Sequence, residues 1–439
     1  MVCAAGFAWC GATQTYELGQ LLDSARCHNI AIRTARHNIA VAHQQRQEAF
    51  TKYFPNVSAS GLWFNANKGM VQTTIYPQQF ITPELGMALA QSMPPEALAA
   101  LANPVDVSMM KNGTIAAVTA VQPVFAGGQI VNGNRLARVG EDVSRLQLRL
   151  SENEVEKTAE QYFWQMASLQ EKMKTIQTVE ELLQGIHNDV AVAVEAGVAL
   201  RNDLLQVQLR QNDVASQRLK VQNALALVRM MLSQYCGLRD TTFSITYNAD
   251  ATMPVAIRQS HDMAVMNTAE YQLLGKQVEA AKLQERISWG KNLPSVAVGA
   301  GYNYHNLLDN NHSYGLVFAT VSIPISGWWG GSHAIKQSEI AHQKAQEQLA
   351  DNTELLMIRM QHAWNSVEEA YQQLQLSQLS IEQATENLRL NRDYYQAGMS
   401  TMSDLLEAQM LYQQACDSRT DAFANYQNTL LDYRQATGQ

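Results

Sequence analysis

Residues Tyr394–Gln409 read YYQAGMSTMSDLLEAQ, and residues Ala193–Gln208 read AVEAGVALRNDLLQVQ. Laid over one another, Gly197 falls on Gly398, Asp203 on Asp404, Leu204 and Leu205 on Leu405 and Leu406, and Gln208 on Gln409. The same register puts Arg218 on Arg419, Gly237 on Gly438 and, far upstream, Pro123 on Pro324. A self-match held over so long a stretch reads as one duplication, not as an array of short repeats.

Proline usage shows what each copy is made of. None occurs between Pro123 and Pro254, and none after Pro324. Proline inside a helix costs ~3 kcal/mol, so these intervals suit very long helices. A helix from Gly128 to Gly197 would run ~100 Å at ~1.5 Å per residue. Apolar and small residues recur at three- and four-residue steps, from Leu204 through Val207, Val214 and Val221 in one copy and from Leu405 through Ala408, Ala415 and Ala422 in the other. That spacing fits a coiled-coil seam and equally an ordinary helical bundle. Arg218 and Arg419 interrupt the seams. They read as partners in solvated or lumen-facing salt bridges, with a substrate role as the alternative.

Four runs break the helical pattern: 57–66, 114–125, 296–305 and 314–325. Each alternates loosely between small and larger apolar residues, at the length of a tilted membrane strand. Aromatic residues gather near their ends, among them Phe54, Trp63, Phe125, Tyr302, Tyr304, Tyr314, Trp328 and Trp329, as at a membrane–water interface. A soluble sheet with core aromatics fits the same letters. Lys52, Pro55 and Val57 match Lys291, Pro294 and Val296, so the first copy is longer by its proline-rich segment, roughly 66–112. This segment reads as a long loop. Each copy is then helix, strand, strand, long helix, a break at glycine, helix.

Backbone groups left bare in lipid cost several kcal/mol each, so a membrane sheet must close on itself. Four strands cannot close, and the smallest common barrels need about eight. Membrane strands here require several chains per barrel, and three would supply twelve strands. The fold class expected is mainly α with a small β part: a long α-helical coiled-coil barrel and a transmembrane β-barrel shared between three chains.

Composition narrows the partners. The 439 residues carry a net charge of −8, which argues against nucleic acid. The five cysteines form no ligand or disulfide spacing, and no HExxH, phosphate-binding or dinucleotide motif is present. No catalytic constellation, cofactor or metal site is expected. Residues 1–12, MVCAAGFAWCGA, resemble the back part of a secretory signal peptide.

The ordered set of the opening helix, FPNVSASG, QPVFAGG and the two glycine motifs resembles the TolC-like outer membrane factor family over nearly the whole chain. The resemblance implies a homotrimeric outer membrane channel with a periplasmic helical extension. It also implies an adaptor (membrane fusion) protein docked at the helical tips and, through it, an inner membrane transporter. A tripartite efflux pump exporting small molecules is the expected setting, with type I protein secretion as the alternative. A coiled-coil scaffold or adhesin is the alternative outside the channel class. The domains expected are a first repeat over 16–238 with its tip near 197, an equatorial segment over 239–262, and a second repeat over 263–439 with its tip near 398.

The resemblance also assigns residues. Asp404 and Glu407 stand three apart on one helix face and match acids that ring the periplasmic constriction. On spacing alone both fit helix-start residues favoured by the macrodipole, with Thr401 and Asp404 as a capping box. Asp203 and Tyr395 match positions whose hydrogen bonds hold the tip shut. Ser400 stands where a basic residue can be found, so a charge-assisted latch is not expected there. Gly197 and Gly398 break the helices and offer a groove to the adaptor.

Overall fold

The computed structural model describes residues 14–249, 253, 257–307, 310–325 and 327–439, without the side chains of 100 and 102. The signal-like residues 1–12 lie outside this range. The chain divides into two compact units. One comprises Gln45–Ala137 and Lys282–Ile340; the other comprises Met1–Gln44, Arg138–Ala281 and Ala341–Gln439.

The first unit is built on strands β2 (Asn56–Asn65), β5 (Asn112–Ala126), β7 (Ser295–Asn306) and β8 (Asn311–Ser322). They form one antiparallel sheet in the order β2-β5-β7-β8. Pro123, which has no N–H for the ladder, sits where the β5–β7 register shifts, a position that tolerates proline. The run expected to reach residue 325 leaves the sheet at Ser322, before Pro324.

Alternation along the strands sorts the side chains. One face carries Val57, Trp63, Val118, Val298, Tyr302, Val317 and Val321, every one at least 41% exposed. Toward the turn that joins β7 to β8 this apolar band ends in tyrosines and then asparagines. Tyr302 Oη donates to Ser313 Oγ at 2.9 Å, and Tyr304 Oη to Asn311 Oδ1 at 2.9 Å. The opposite face carries Ser58, Ser60, Thr119, Asn303, His305 and His312 among larger residues. An exposed apolar band with aromatic and amide borders, opposite a mixed face, is the pattern of a lipid-facing strand set.

The proline-rich segment is not a structureless loop. It folds into an antiparallel pair, β3 (Val71–Ile75) with β4 (Val105–Met109), enclosing a 3-10 turn and helices α3 (Pro83–Ser92) and α4 (Pro95–Ala102). Pro83 and Pro95 open their helices, where the missing N–H would have no partner anyway.

The second unit is helical. Helix α1 is Leu18–His28, α2 Ile30–Thr51, α5 Gln129–Glu195, α6 Arg201–Cys236, α7 His261–Val265, α8 Ala269–Gly290, α9 Gly327–Gln396 and α10 Met402–Ala436; several continue into the sheet unit. The order α2, β2, β5, α5, α6 thus recurs as α8, β7, β8, α9, α10, as a duplicated chain requires. Trp328 and Trp329 lie in the first turn of α9 and not in a strand.

Two apolar clusters hold the helices. The larger packs Phe163, Trp164, Trp364, Phe423 and Tyr433 with Phe243 and Ile245. The last two belong to residues 239–262, anchored by the parallel pairing of β6 (Ser244–Ile245) with β1 (Thr15–Tyr16). The seam residues Val207, Val214, Leu225 and Val228 are all buried, as are Leu405, Ala408, Ala415 and Ala422. Arg218 meets Glu180 at 3.0 Å, and Arg419 Nε donates to Gln378 at 3.0 Å. No helix among the described residues is long and apolar enough to cross a membrane.

Candidate functional site at the helical turns

The matching stretches 193–208 and 394–409 form two nearly identical turns. At the end of α5, Val198 N donates to Ala193 O at 2.9 Å and Gly197 N to Val194 O at 3.0 Å. At the end of α9, Met399 N donates to Tyr394 O at 2.8 Å and Gly398 N to Tyr395 O at 3.0 Å. These paired bonds define a Schellman cap, which needs a left-handed residue. Gly197 has φ 77° and Gly398 φ 70°. A Cβ at either position would meet nothing within 4 Å, so backbone angle demands glycine here and packing does not.

The next helix starts are capped differently. Thr401 and Asp404 form a complete capping box. Asp404 N donates to Thr401 Oγ1 at 3.3 Å, and Thr401 N donates to Asp404 Oδ2 at 2.9 Å. Thr401 Oγ1 also donates to the same carboxylate at 2.7 Å. These bonds from the Thr401 hydroxyl and amide hold the Asp404 carboxyl below the usual range. Leu200 has no side-chain oxygen, so at α6 only the reciprocal bond remains, Leu200 N to Asp203 Oδ2 at 3.3 Å.

Beneath the turns, Ile176, Val179, Leu183, Ile186 and Val190 of α5 pack with Val207 and Val214 of α6 and Met402 and Leu405 of α10. Tyr395 packs partly buried against this cluster. Burial, and then the nearby Asp203 charge, raises its phenol above the ordinary value. The charge of one residue assigned to the latch thus reaches the other, while the Asp203 carboxylate itself accepts from Leu200 N. Asp404 and Glu407 are both exposed, and Ser400 Oγ donates to Asn391 O at 3.4 Å. Among the described residues no group of three or more His, Cys, Asp or Glu is placed to hold a metal.

Two features escaped the sequence reading. Val198, Leu200 and Met399 stand 80%, 70% and 69% exposed beside the turn glycines, an apolar surface that a helix-capping argument does not reveal. Arg210 forms a polar link between α6 and α10: Nε donates to Gln409 at 2.9 Å and a terminal nitrogen to Gln413 at 2.7 Å, while the other pairs with Asp213. Gln413 donates onward to Gln217 at 2.7 Å.

Comparison places this architecture among known channels. The sequence description "Outer membrane efflux protein" matches residues 268–439. No curated protein sequence matches the chain. In fold it is similar to the outer membrane protein VceC of Vibrio cholerae, with TM-score 0.75 and 14% identity over 96% of each chain. CusC is similar with TM-score 0.79 and 14% identity, covering 99% of this chain and 95% of that one. The MtrE outer membrane channel of Neisseria gonorrhoeae, solved in an open state, gives TM-score 0.72 and 14% identity over 96% and 88%. Residues 268–439 thus match the outer membrane efflux protein family, and the chain as a whole is similar in fold to the TolC-like outer membrane channels.

Proposed function

We propose that three copies of the chain form a passive export duct through the outer membrane, the wall of one supplied by its siblings. The observation that carries this is the open sheet. β2 and β8 each pair on one side only, and both stay exposed along almost their whole length. Bare sheet edges are a liability that barrel closure removes. Joining β8 of one copy to β2 of the next gives twelve strands and a lumen, with the valine-rich face toward lipid.

In this reading the chain is two repeats, 16–238 and 263–439, joined by an equatorial segment, 239–262. The helical turns lie at the periplasmic entrance. Asp404 and Glu407, three copies of each, line the constriction and favour cations. Asp203 and Tyr395 hold it closed. Gly197 and Gly398, flanked by Val198, Leu200 and Met399, receive the hairpins of a periplasmic adaptor, which links the duct to an inner membrane transporter. The cargo is a small molecule, and the chain performs no chemistry on it.

The experiment is to purify the full chain and ask what it becomes. The channel requires detergent, cross-links as a trimer and conducts in a planar bilayer. Recovery as a water-soluble, non-conducting monomer rejects the reading. A deletion strain that loses resistance to small toxic compounds while its secreted proteins are unchanged fits efflux; the reverse outcome fits protein secretion.

A further inference from the structure

We infer that His305 and His312 form a binding site for a divalent transition-metal cation. The two are directly opposite in the β7–β8 ladder, where facing side chains leave Cβ atoms ~5 Å apart. Their ring centroids are 5.3 Å apart and the planes are inclined at 45°. Two imidazoles on one tetrahedral ion, at about 2.0–2.1 Å per bond, place their centroids about 5 Å apart. The pair already stands at the separation that chelation needs.

His305 Nδ1 is shut off from solvent without a hydrogen-bond partner. No bond to it in the protein fixes the tautomer of this imidazole. Tyr314 closes a second side, its ring 6.3 Å from His305 and 5.9 Å from His312. Asn303, opposite Tyr314, brings an amide to the same face. The donor set is two imidazole nitrogens with neither thiolate nor carboxylate. It selects Cu²⁺, Ni²⁺ or Zn²⁺ over Mg²⁺ and Ca²⁺, which demand oxygen ligands. Two protein ligands make an open site, completed by water.

The pair lies at the β7–β8 turn, the end of these strands away from α8 and α9. It sits on the face opposite the apolar band. Resting on the proposed trimer, three such pairs would ring the outer mouth of the lumen, one per chain. The chelate itself belongs to one sheet and does not depend on the trimer.

The test uses the full chain, without an affinity tag, in detergent at about pH 8. Calorimetric titration with ZnCl₂ is expected to give one site per chain. His305→Gln and His312→Gln should each remove it, while His333→Gln on α9 leaves it intact. Co²⁺ should bind with the same stoichiometry, binding that is lost in the same two variants, and excess Ca²⁺ should not displace either ion. Helical circular dichroism and chromatographic size verify that each variant is folded. Zn²⁺ binding that survives both substitutions, or that is lost equally in His333→Gln, overturns the assignment. A chain that binds Zn²⁺ through this pair but forms no trimer overturns the duct and leaves the site standing.

Discussion

Arg210 Nε donates to Oε1 of Gln409 at 2.9 Å, and Gln409 has no exposed surface. Its counterpart in the repeat, Gln208, is exposed. The same letter thus serves two environments, because α10 turns this face toward α6 while the matching face of α6 turns outward. Arg210→Ala leaves Gln409 and Gln413 without their donor in a buried seam, at about 1–3 kcal/mol for an unsatisfied group. We expect a lowered unfolding midpoint in detergent, with Arg210→Lys intermediate because an ammonium cannot span both amides as the planar fork does. An unchanged midpoint in Arg210→Ala would show that water replaces the fork without loss.

Asp404 gives a pH dependence of known sign. Its folded pKa is depressed by Thr401, first through the hydroxyl and then through the amide. The contribution is therefore present above the unfolded value, ~3.9, and is lost as pH falls through the lower folded value. Hydrogen-exchange protection of the first turn of α10 should hold from neutral pH to about 4 and drop below it. Thr401→Val should flatten that dependence. An identical acid profile in wild type and Thr401→Val would refute the linkage.

The turns were legible in the sequence because their chemistry is local. A glycine followed by Thr401 and Asp404 encodes a left-handed stop and a capped restart. The long helices were legible from the absence of proline. The pairing of β1 with β6 was not, since two residues at either partner carry no periodicity. The elements within 66–112 are not legible, because five prolines resemble loop punctuation although Pro83 and Pro95 serve as helix starters. The Arg210 link was hidden for a different reason: which side of a seam meets its neighbour is decided by packing between hairpins, and an arginine among Leu209, Gln211 and Asp213 does not announce its partner.

Gly398 separates backbone strain from docking. Any L-residue at φ 70° pays about 1–2 kcal/mol, so Gly398→Ala and Gly398→Leu should destabilise the turn alike. The surrounding space is open, so the larger side chain meets no clash within the chain. Adaptor capture should fall further in Gly398→Leu than in Gly398→Ala, with the trimer intact in both. Equal capture by the two variants would assign the glycine to helix reversal alone.

Tyr395 keeps its proton at neutral pH, because burial and the Asp203 charge both push its pKa up. A protonated phenol is a donor, and the proposed gate closes when it reaches the Asp203 carboxylate. Tyr395→Phe and Asp203→Ala should each raise single-channel conductance, and the double variant should add little to either. Asp404→Asn with Glu407→Gln should instead weaken cation preference, read as a smaller reversal potential under a salt gradient. Unaltered conductance in both latch variants counts against the gate.

Gly299 and Phe318 face one another across the β7–β8 ladder, and a Cβ on Gly299 would enter the Phe318 ring. The phenyl group covers bare backbone on the face opposite the apolar band, a cross-strand partnership that works only while one member is small. Gly299→Val must displace the ring, a kind of overpacking that costs typically ~1–3 kcal/mol. Trimer yield from outer membranes should therefore fall in Gly299→Val and recover in Gly299→Val with Phe318→Ala, where the ring no longer competes for the space. If the second substitution fails to restore the yield, the demand for glycine comes from elsewhere in the barrel, such as the approach of a neighbouring copy, and not from Phe318.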